Sequence, residues 1–385
     1  MISYVLVQTV IIYIFLKNIE IYMGKGLYIH IPLCFKKCNY CNFVSYPISK
    51  VKFKITDYIK TLKKEMKEFE NEKIDTVYIG GGTPSLLDPE EIENIVSGIK
   101  QNFKVSGLEE FTIEINPFDF NIENIRKMQK SGINRFSFGF QSFDNNKLEK
   151  LGRIHRRRDL ENIKKYREEF NNFSLDLIFG LKNDIKLIES ELRKLIEFNP
   201  QHISIYNLKV EKNTKIFKML ENNKIELDNE DAQSKTYSYI NRLLKENGYN
   251  HYEISNYAKK GFESKHNLKY WRFKPYIGLG VSASGYYDNI LYTNYSSYDK
   301  YKNNGYKSIQ KEIKKVQKRY FRIMMGLRLK EGVILNKEEY SIIRKFFDKN
   351  NLDKYFIFRN KRISIKEKYF FISNSLIGRI LDELF

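Results

Sequence analysis

The sequence predicts an α/β protein: a parallel sheet of six strand–helix repeats, an open sheet or partial (β/α)6 barrel, followed by a small, mostly α-helical, winged-helix-like C-terminal part. Three observations predict it. Short apolar runs rich in Ile, Val, Phe and Tyr recur from residue 27 onward. Charged, amphipathic stretches of helical character separate them, which calls for right-handed crossovers between parallel strands. Polar residues interrupt the runs near their C-terminal ends, where folds of this class place their chemistry.

The strand-like runs lie at 27–33 (LYIHIPL), 76–80 (TVYIG), 110–116 (EFTIEIN), 134–141 (NRFSFGFQ), 173–181 (FSLDLIFGL) and 202–210 (HISIYNLKV). Helical stretches fall at 58–70, 89–100, 121–132 and 185–198, with Gly132 as a helix stop. The pattern changes after about residue 215. A helix is expected over roughly 229–247, then an irregular polar–aromatic stretch over 251–287. The end, 312–385, reads as helices with short strands, and RISI (362–365) with YFFIS (369–373) reads as a hairpin. The chain divides softly into 1–22, a core over 23–250 and a C-terminal region over 251–385.

A hydrophobic fraction of 42%, with 28 Phe and 28 Tyr, builds a sizeable core and excludes a disordered chain. Sixty-seven basic residues against 47 acidic leave a net charge of +20. That balance suits an anionic partner, but Lys, Asn, Ile and Tyr are abundant throughout, as in a chain encoded by an AT-rich genome. The basic residues are scattered, and the densest short run is Arg156-Arg157-Arg158. Residues 2–16 (ISYVLVQTVIIYIFL) are nearly all apolar, yet short for a span of about 20 residues and without a secretory cleavage pattern. A start codon assigned too early, with Met23 as the true start, accounts for them; a weak anchor or targeting leader is the alternative.

The three cysteines of the chain, Cys34, Cys38 and Cys41, follow the first strand as CxxxCxxC. An odd cluster is no disulfide framework and suggests a reducing compartment. Three thiolates suit an iron–sulfur cluster of four irons and leave one iron open to a small molecule. Structural zinc needs a fourth ligand; His30 is one candidate, although it sits within the strand, and no second pair exists.

This loop, with Tyr40 just before its last cysteine, resembles the radical S-adenosylmethionine (SAM) superfamily. The motifs YIHIPLC (28–34), GGGTPS (80–85), NRFSFGFQSF (134–143), LGRIH (151–155), DLIFGL (176–181), YEISNYA (252–258), HNLKYW (266–271) and GLGVSAS (278–284) resemble the oxygen-independent coproporphyrinogen III oxidase family. The likeness runs from about residue 27 to the C-terminus. It implies a radical SAM barrel whose [4Fe–4S] cluster is held by Cys34, Cys38 and Cys41, with the open iron binding the amino and carboxylate groups of SAM. One electron from the cluster would then cleave the sulfonium. The true oxidase carries a fourth cysteine two positions after the third; here that position is Phe43, as in the heme-chaperone branch, which also has the HNxxYW motif.

The resemblance assigns SAM contacts to Tyr28, Gly81, Gly82, Thr83, Glu114, Gln141, Arg153 and Asp176. Several have a plainer reading: a strand aromatic for Tyr28, a tight turn for Gly81–Thr83, a surface arginine for Arg153, a satisfied core aspartate for Asp176. His266 is the heme-ligand candidate, with Lys265 and Lys269 for the propionates and Tyr270 and Trp271 for the ring; a structural histidine is the alternative. Lys182 stands where the family has proline, which loosens that turn.

Two functions follow as expectations. One is a cytoplasmic heme chaperone that passes heme to apoproteins, membrane respiratory enzymes among them, its basic surface making peripheral membrane contact. The other is a coproporphyrinogen III oxidase-type enzyme of porphyrin biosynthesis, against which Phe43 argues. RNA modification rests on charge alone, and with no RNA-binding module no nucleic-acid partner is expected.

Overall fold

The computed structural model describes residues 24–182 and 184–385. The apolar leader read over residues 1–22 lies outside the described residues.

Six parallel strands stand in chain order: β1 (Lys25–Ile31), β2 (Ile74–Gly81), β3 (Glu110–Ile115), β4 (Arg135–Gln141), β5 (Phe173–Phe179) and β6 (His202–Asn207). Between them run α1 (Ile55–Met66), α2 (Pro89–Asn102), α3 (Ile122–Ser131), α4 (Asn145–Leu151), α5 (Arg157–Lys165) and α6 (Asp184–Phe198). Local chemistry sets the helix ends. Asp88 caps α2, with Pro89 in its first turn and the Glu91 carboxylate accepting the Asp88 N–H at 2.9 Å. Asn121 caps α3 and Gly132 closes it in the left-handed conformation, the stop expected there.

Strand alternation sorts the two faces of the sheet. Leu27, Ile29, Val77, Ile79, Phe111, Ile113, Phe136, Phe138, Leu175 and Ile203 are almost wholly buried in one core with Leu62, Ile95 and Ile99 of α1 and α2. The other face carries Thr76, Thr112, Arg135, Ser137, Ser174, His202 and Ser204, also buried. Polar residues therefore line the concave face along its whole length rather than only at its C-terminal rim.

After β6 come α7 (Lys215–Glu221) and α8 (Glu230–Glu246). The stretch read as irregular over 251–287 supplies strands to both ends of the sheet. β7 (Asn250–Glu253) and β8 (Asn256–Ala258) extend it antiparallel beyond β6. After α9 (Lys265–Trp271), β9 (Tyr276–Leu279) adds parallel to β1, and β10 (Ser284–Tyr287), β11 (Ile290–Asn294) and, after α10 (Tyr298–Asn303), β12 (Lys307–Glu312) follow antiparallel. The full order is β12-β11-β10-β9-β1-β2-β3-β4-β5-β6-β8-β7, so residue 250 falls inside the sheet.

The C-terminal part holds α11 (Lys315–Gly326), β13 (Val333–Ile334), α12 (Lys337–Asn350), β14 (Phe356–Arg359), β15 (Arg362–Ile365) and α13 (Ser373–Leu384), with the small sheet ordered β13-β15-β14. The hairpin partner of 362–365 is β14, not 369–373. Asn360 and Lys361 both take positive φ and make the two-residue turn. Residues Glu367–Ile372 form a 3-10 helix that sinks Phe370 into the core. This part docks on β7: Lys330 N–H donates to Tyr252 O at 3.0 Å and His251 lies 3.4 Å from Glu367. That covers a strand edge which would otherwise present free backbone groups.

Candidate functional site

Cys34 ends a two-residue strand, Leu33–Cys34, paired with Tyr46–Pro47; Cys38 and Cys41 lie on the loop between. All three are free thiols, Cys34 buried and the other two half-buried. Burial pushes the Cys34 and Cys41 thiols up. Among the described residues no three His, Cys, Asp or Glu side chains converge on a single metal ion. A tetrahedral zinc site needs that convergence, whereas a four-iron cluster takes each thiolate on a different iron. His30 is spoken for: its Nε2 lies 2.8 Å from Val44 O, to which it donates, leaving Nδ1 to accept from Tyr28 Oη at 3.0 Å.

The turn after β2 brings its backbone against the cysteine loop. Gly82 N–H donates to Ile31 O at 2.8 Å, and a Cβ at Gly82 would lie 2.3 Å from Leu33 O. Only glycine allows that approach, which holds the strand leading into Cys34. Thr83 Oγ1 then lies 3.7 Å from Cys34 Sγ. Gly81 N–H donates to Glu114 Oε2 at 3.1 Å, so the main-chain N–H groups of Gly81 and Gly82 are both used within the protein.

Glu114 accepts from Tyr78 Oη at 2.9 Å as well, and burial, with the Asp176 charge nearby, pushes its carboxyl up to about 7. Burial likewise raises Asp176 to about 6, partly offset by the Ser204 and Ser174 hydroxyls and by Arg135 and Arg153. Gln141 ends β4 at a register shift with φ of 58°, a strained value for glutamine that re-aims its side chain. Gln141 Oε1 and Asp176 Oδ1 are buried acceptors without a partner.

Arg153 is no surface arginine. Its Nη1 lies 3.4 Å from Cys38 Sγ, Nη2 donates to Gly139 O at 2.8 Å, and Nε approaches His155 Nδ1 at 3.4 Å. His155 Nε2 lies 2.9 Å from Phe140 O, to which it donates, and burial beside Arg153 holds its pKa near 3, so Nδ1 stays free to accept. The structure thus brings Cys34, Cys38, Cys41, Thr83, Glu114, Gln141, Arg153 and Asp176 to the C-terminal ends of β1–β5.

His266 lies elsewhere. It packs at the opposite, N-terminal ends of β1–β3 and is fully buried. Nδ1 is 3.0 Å from Thr76 Oγ1, Nε2 is 2.7 Å from Tyr270 Oη, and its main-chain N–H donates to Glu110 at 3.0 Å. Both ring nitrogens are engaged, so heme ligation would require the ring to leave its place. Lys269 is equally committed, donating to Gly24 O at 2.8 Å and pairing with Asp75 at 2.7 Å. Lys265 pairs with Glu109 at 2.7 Å. In this arrangement HNxxYW works as a plug for the barrel floor.

Sequence reasoning missed several residues. Asn39, next to Cys38, donates through its N–H to Leu151 O at 2.9 Å and through Nδ2 to Lys150 O at 2.9 Å, while its carbonyl accepts from Ile216 N–H at 2.8 Å. Gly152 ends α4 with φ of 75°, and a Cβ there would lie 2.7 Å from the Asn39 side chain. Ser85 joins Asn116 N–H (3.1 Å) to Asp119 (3.0 Å). Tyr78 and Arg135 line the concave face. A polar residue between two cysteines was the available signal for Asn39; Gly152 and Ser85 fall within the motifs LGRIH and GGGTPS, and for Tyr78 and Arg135 alternation along the strands was the only clue.

Residues 28–197 match the model of the radical SAM superfamily. The heme chaperone HemW of Lactococcus lactis is 37% identical over 323 residues, covering 82% of this chain and 84% of that protein. The heme chaperone HemW of Escherichia coli is 37% identical over 268 residues, covering 68% of this chain and 69% of that protein. Among solved structures, the coproporphyrinogen III oxidase HemN of Escherichia coli, a radical SAM enzyme, superposes with a TM-score of 0.78 at 19% identity, covering 94% of this chain and 90% of that one. That likeness is one of fold.

Proposed function

Since the chain belongs to the radical SAM superfamily and, within it, to the HemW family, we propose that it binds heme and passes it to apoproteins. The family implies a [4Fe–4S] cluster with SAM, and Cys34, Cys38 and Cys41 are the residues that would hold it. When bound, the cluster supplies an electron and an open iron for the amino-acid end of SAM. The residues present fit that pair. Gln141 Oε1 and Asp176 Oδ1 are acceptors waiting for donors, which an ammonium and ribose hydroxyls provide. Glu114 offers a carboxylate to a cation, Tyr28 is held by His30 at the same end of the sheet, and Arg153 places a permanent positive charge beside Cys38.

The observation that carries the reading is the three-cysteine loop that ends in Phe43, in a chain whose relatives are named heme chaperones. Phe43 is 66% exposed, two residues beyond Cys41, and offers no thiolate. The coproporphyrinogen oxidase reading therefore stands second. No helix of the described residues is long and apolar enough to cross a membrane. Heme-loaded protein mixed with an apo-form respiratory hemoprotein tests the function. Transfer of the heme absorption to the acceptor, faster than from the same concentration of free heme, is the expected result. Heme retained on the chain would reduce the function to heme storage.

A further inference from the structure

Alternation along β2 turns Thr76, Tyr78 and Gly80 to the inside of the barrel. Thr76 Oγ1 meets His266 Nδ1 at 3.0 Å, and two residues on the Tyr78 ring lies against the His266 imidazole, their centroids 5.4 Å apart. Tyr270 meets that imidazole edge-on and bonds its Nε2 at 2.7 Å. The Tyr78 hydroxyl donates to Glu114 Oε1 at 2.9 Å, while Gly81 N–H donates to Oε2 at 3.1 Å. One neutral donor on each oxygen fixes the plane of the carboxylate and leaves a lone pair of each oxygen free. Gly80 makes room for the pairing: a Cβ there would lie 2.8 Å from Tyr78 Cε1 and 3.0 Å from Glu114 Oε1.

We propose that Tyr78 is a positioning residue for SAM: its hydroxyl orients Glu114 for the cationic part of that ligand, and the HNxxYW segment supports Tyr78 from the barrel floor through His266. The proposal rests on the SAM reading above. Asp176 faces Glu114 with like charge and Arg135 with opposite charge, and the phenols of Tyr28, Tyr206 and Tyr270 stand around them. Of these side chains and Tyr78, only Tyr78 hydrogen-bonds the carboxylate, among the described residues. Burial raises the Glu114 carboxyl to about 7, and the Tyr78 bond is the largest influence opposing that rise. Burial and the Glu114 charge push the Tyr78 hydroxyl well up, so it stays protonated and remains a donor. The plug and the ligand end of the barrel are therefore joined by one ring, in contact with His266 below and bonded to Glu114 above.

The test is a calorimetric titration of SAM into the full, cluster-reconstituted chain across the range from pH 6 to 9. Tyr78→Phe keeps the ring against His266 and removes one hydroxyl. Losing a hydrogen bond to a charged group should move the pH-dependent rise in SAM affinity up by about one unit. Binding should weaken about fivefold at pH 7, with the gap narrowing toward pH 9. His266→Ala, measured well below its melting temperature, should weaken SAM binding about threefold in the wild-type background and leave the Tyr78→Phe background unchanged. Wild-type affinity and pH dependence in Tyr78→Phe would overturn the proposal and leave the SAM reading standing. An equal loss at every pH would also overturn it, since Tyr78 would then act by packing alone. Additive losses in the double variant would overturn the role given to HNxxYW. No SAM binding by the wild type would overturn both the proposal and the reading it rests on.

Discussion

Arg153 Nη1 lies 3.4 Å from Cys38 Sγ while its Nη2 is anchored to Gly139 O at 2.8 Å. A half-buried guanidinium is thereby fixed beside a thiolate that the family assigns to an iron–sulfur cluster. Removing a positive charge next to a redox centre disfavours the more negative, reduced state. Arg153→Met should lower the cluster midpoint potential by roughly 50–100 mV, taking a charge interaction of about 1–2 kcal/mol and 59 mV per tenfold change for one electron. A potentiometric titration followed by electron paramagnetic resonance reads it; an unchanged potential would remove the electrostatic role.

Glu114 titrates near 7 because burial, then Asp176, penalise its charge. An acid raised in the folded state binds more protons folded than unfolded between its ordinary 4.5 and about 7, so in the ligand-free protein its contribution weakens the fold as pH rises through that window. A cationic ligand reverses the preference by favouring the carboxylate. SAM affinity should therefore rise as pH passes from 6 to 8, and Glu114→Gln should bind about tenfold more weakly with that rise removed. Calorimetric titrations of the cluster-loaded protein at the two pH values check it.

Gly152→Ala meets two obstacles, a φ of 75° and a contact of 2.7 Å with Asn39. A cost of about 2 kcal/mol is expected from such strain. Because Asn39 neighbours Cys38, iron incorporation should fall together with the thermal midpoint. Chemical iron analysis beside a thermal melt separates this from a uniform loss of stability, for which the iron content at low temperature would be unchanged.

His266→Ala removes a buried ring with two hydrogen bonds, and about 3 kcal/mol of stability should go with it. Heme affinity, measured well below the melting temperature, should stay within about threefold of wild type. Loss of heme binding in a folded variant would return His266 to the role of ligand.

Much of the core was legible because strand alternation and helix period repeat over long segments. Each of the six runs became a strand of the central sheet, and Gly132 ends α3 as its position suggested. The stretch after residue 250 was not, because β7 to β9 are only three or four residues long and alternation has no room to show. YFFIS passed for a strand by composition, yet the turn at Asn360-Lys361 pairs β15 backward with β14. At the site, the cysteine spacing and Glu114, Arg153 and Asp176 stood out as polar residues in apolar or motif settings. Asn39 did not, since its work is done largely by its backbone. The setting of His266 was likewise not legible: the sequence shows a histidine among aromatics, but only the fold shows Thr76 and Tyr270 closing on its two nitrogens.

The most direct test is one anaerobic sample of the cluster-reconstituted protein, divided between a heme titration and an assay with SAM, dithionite and coproporphyrinogen III. The account predicts saturable heme binding with a Soret band and no protoporphyrinogen IX. Protoporphyrinogen IX formed by a protein that does not bind heme would contradict it.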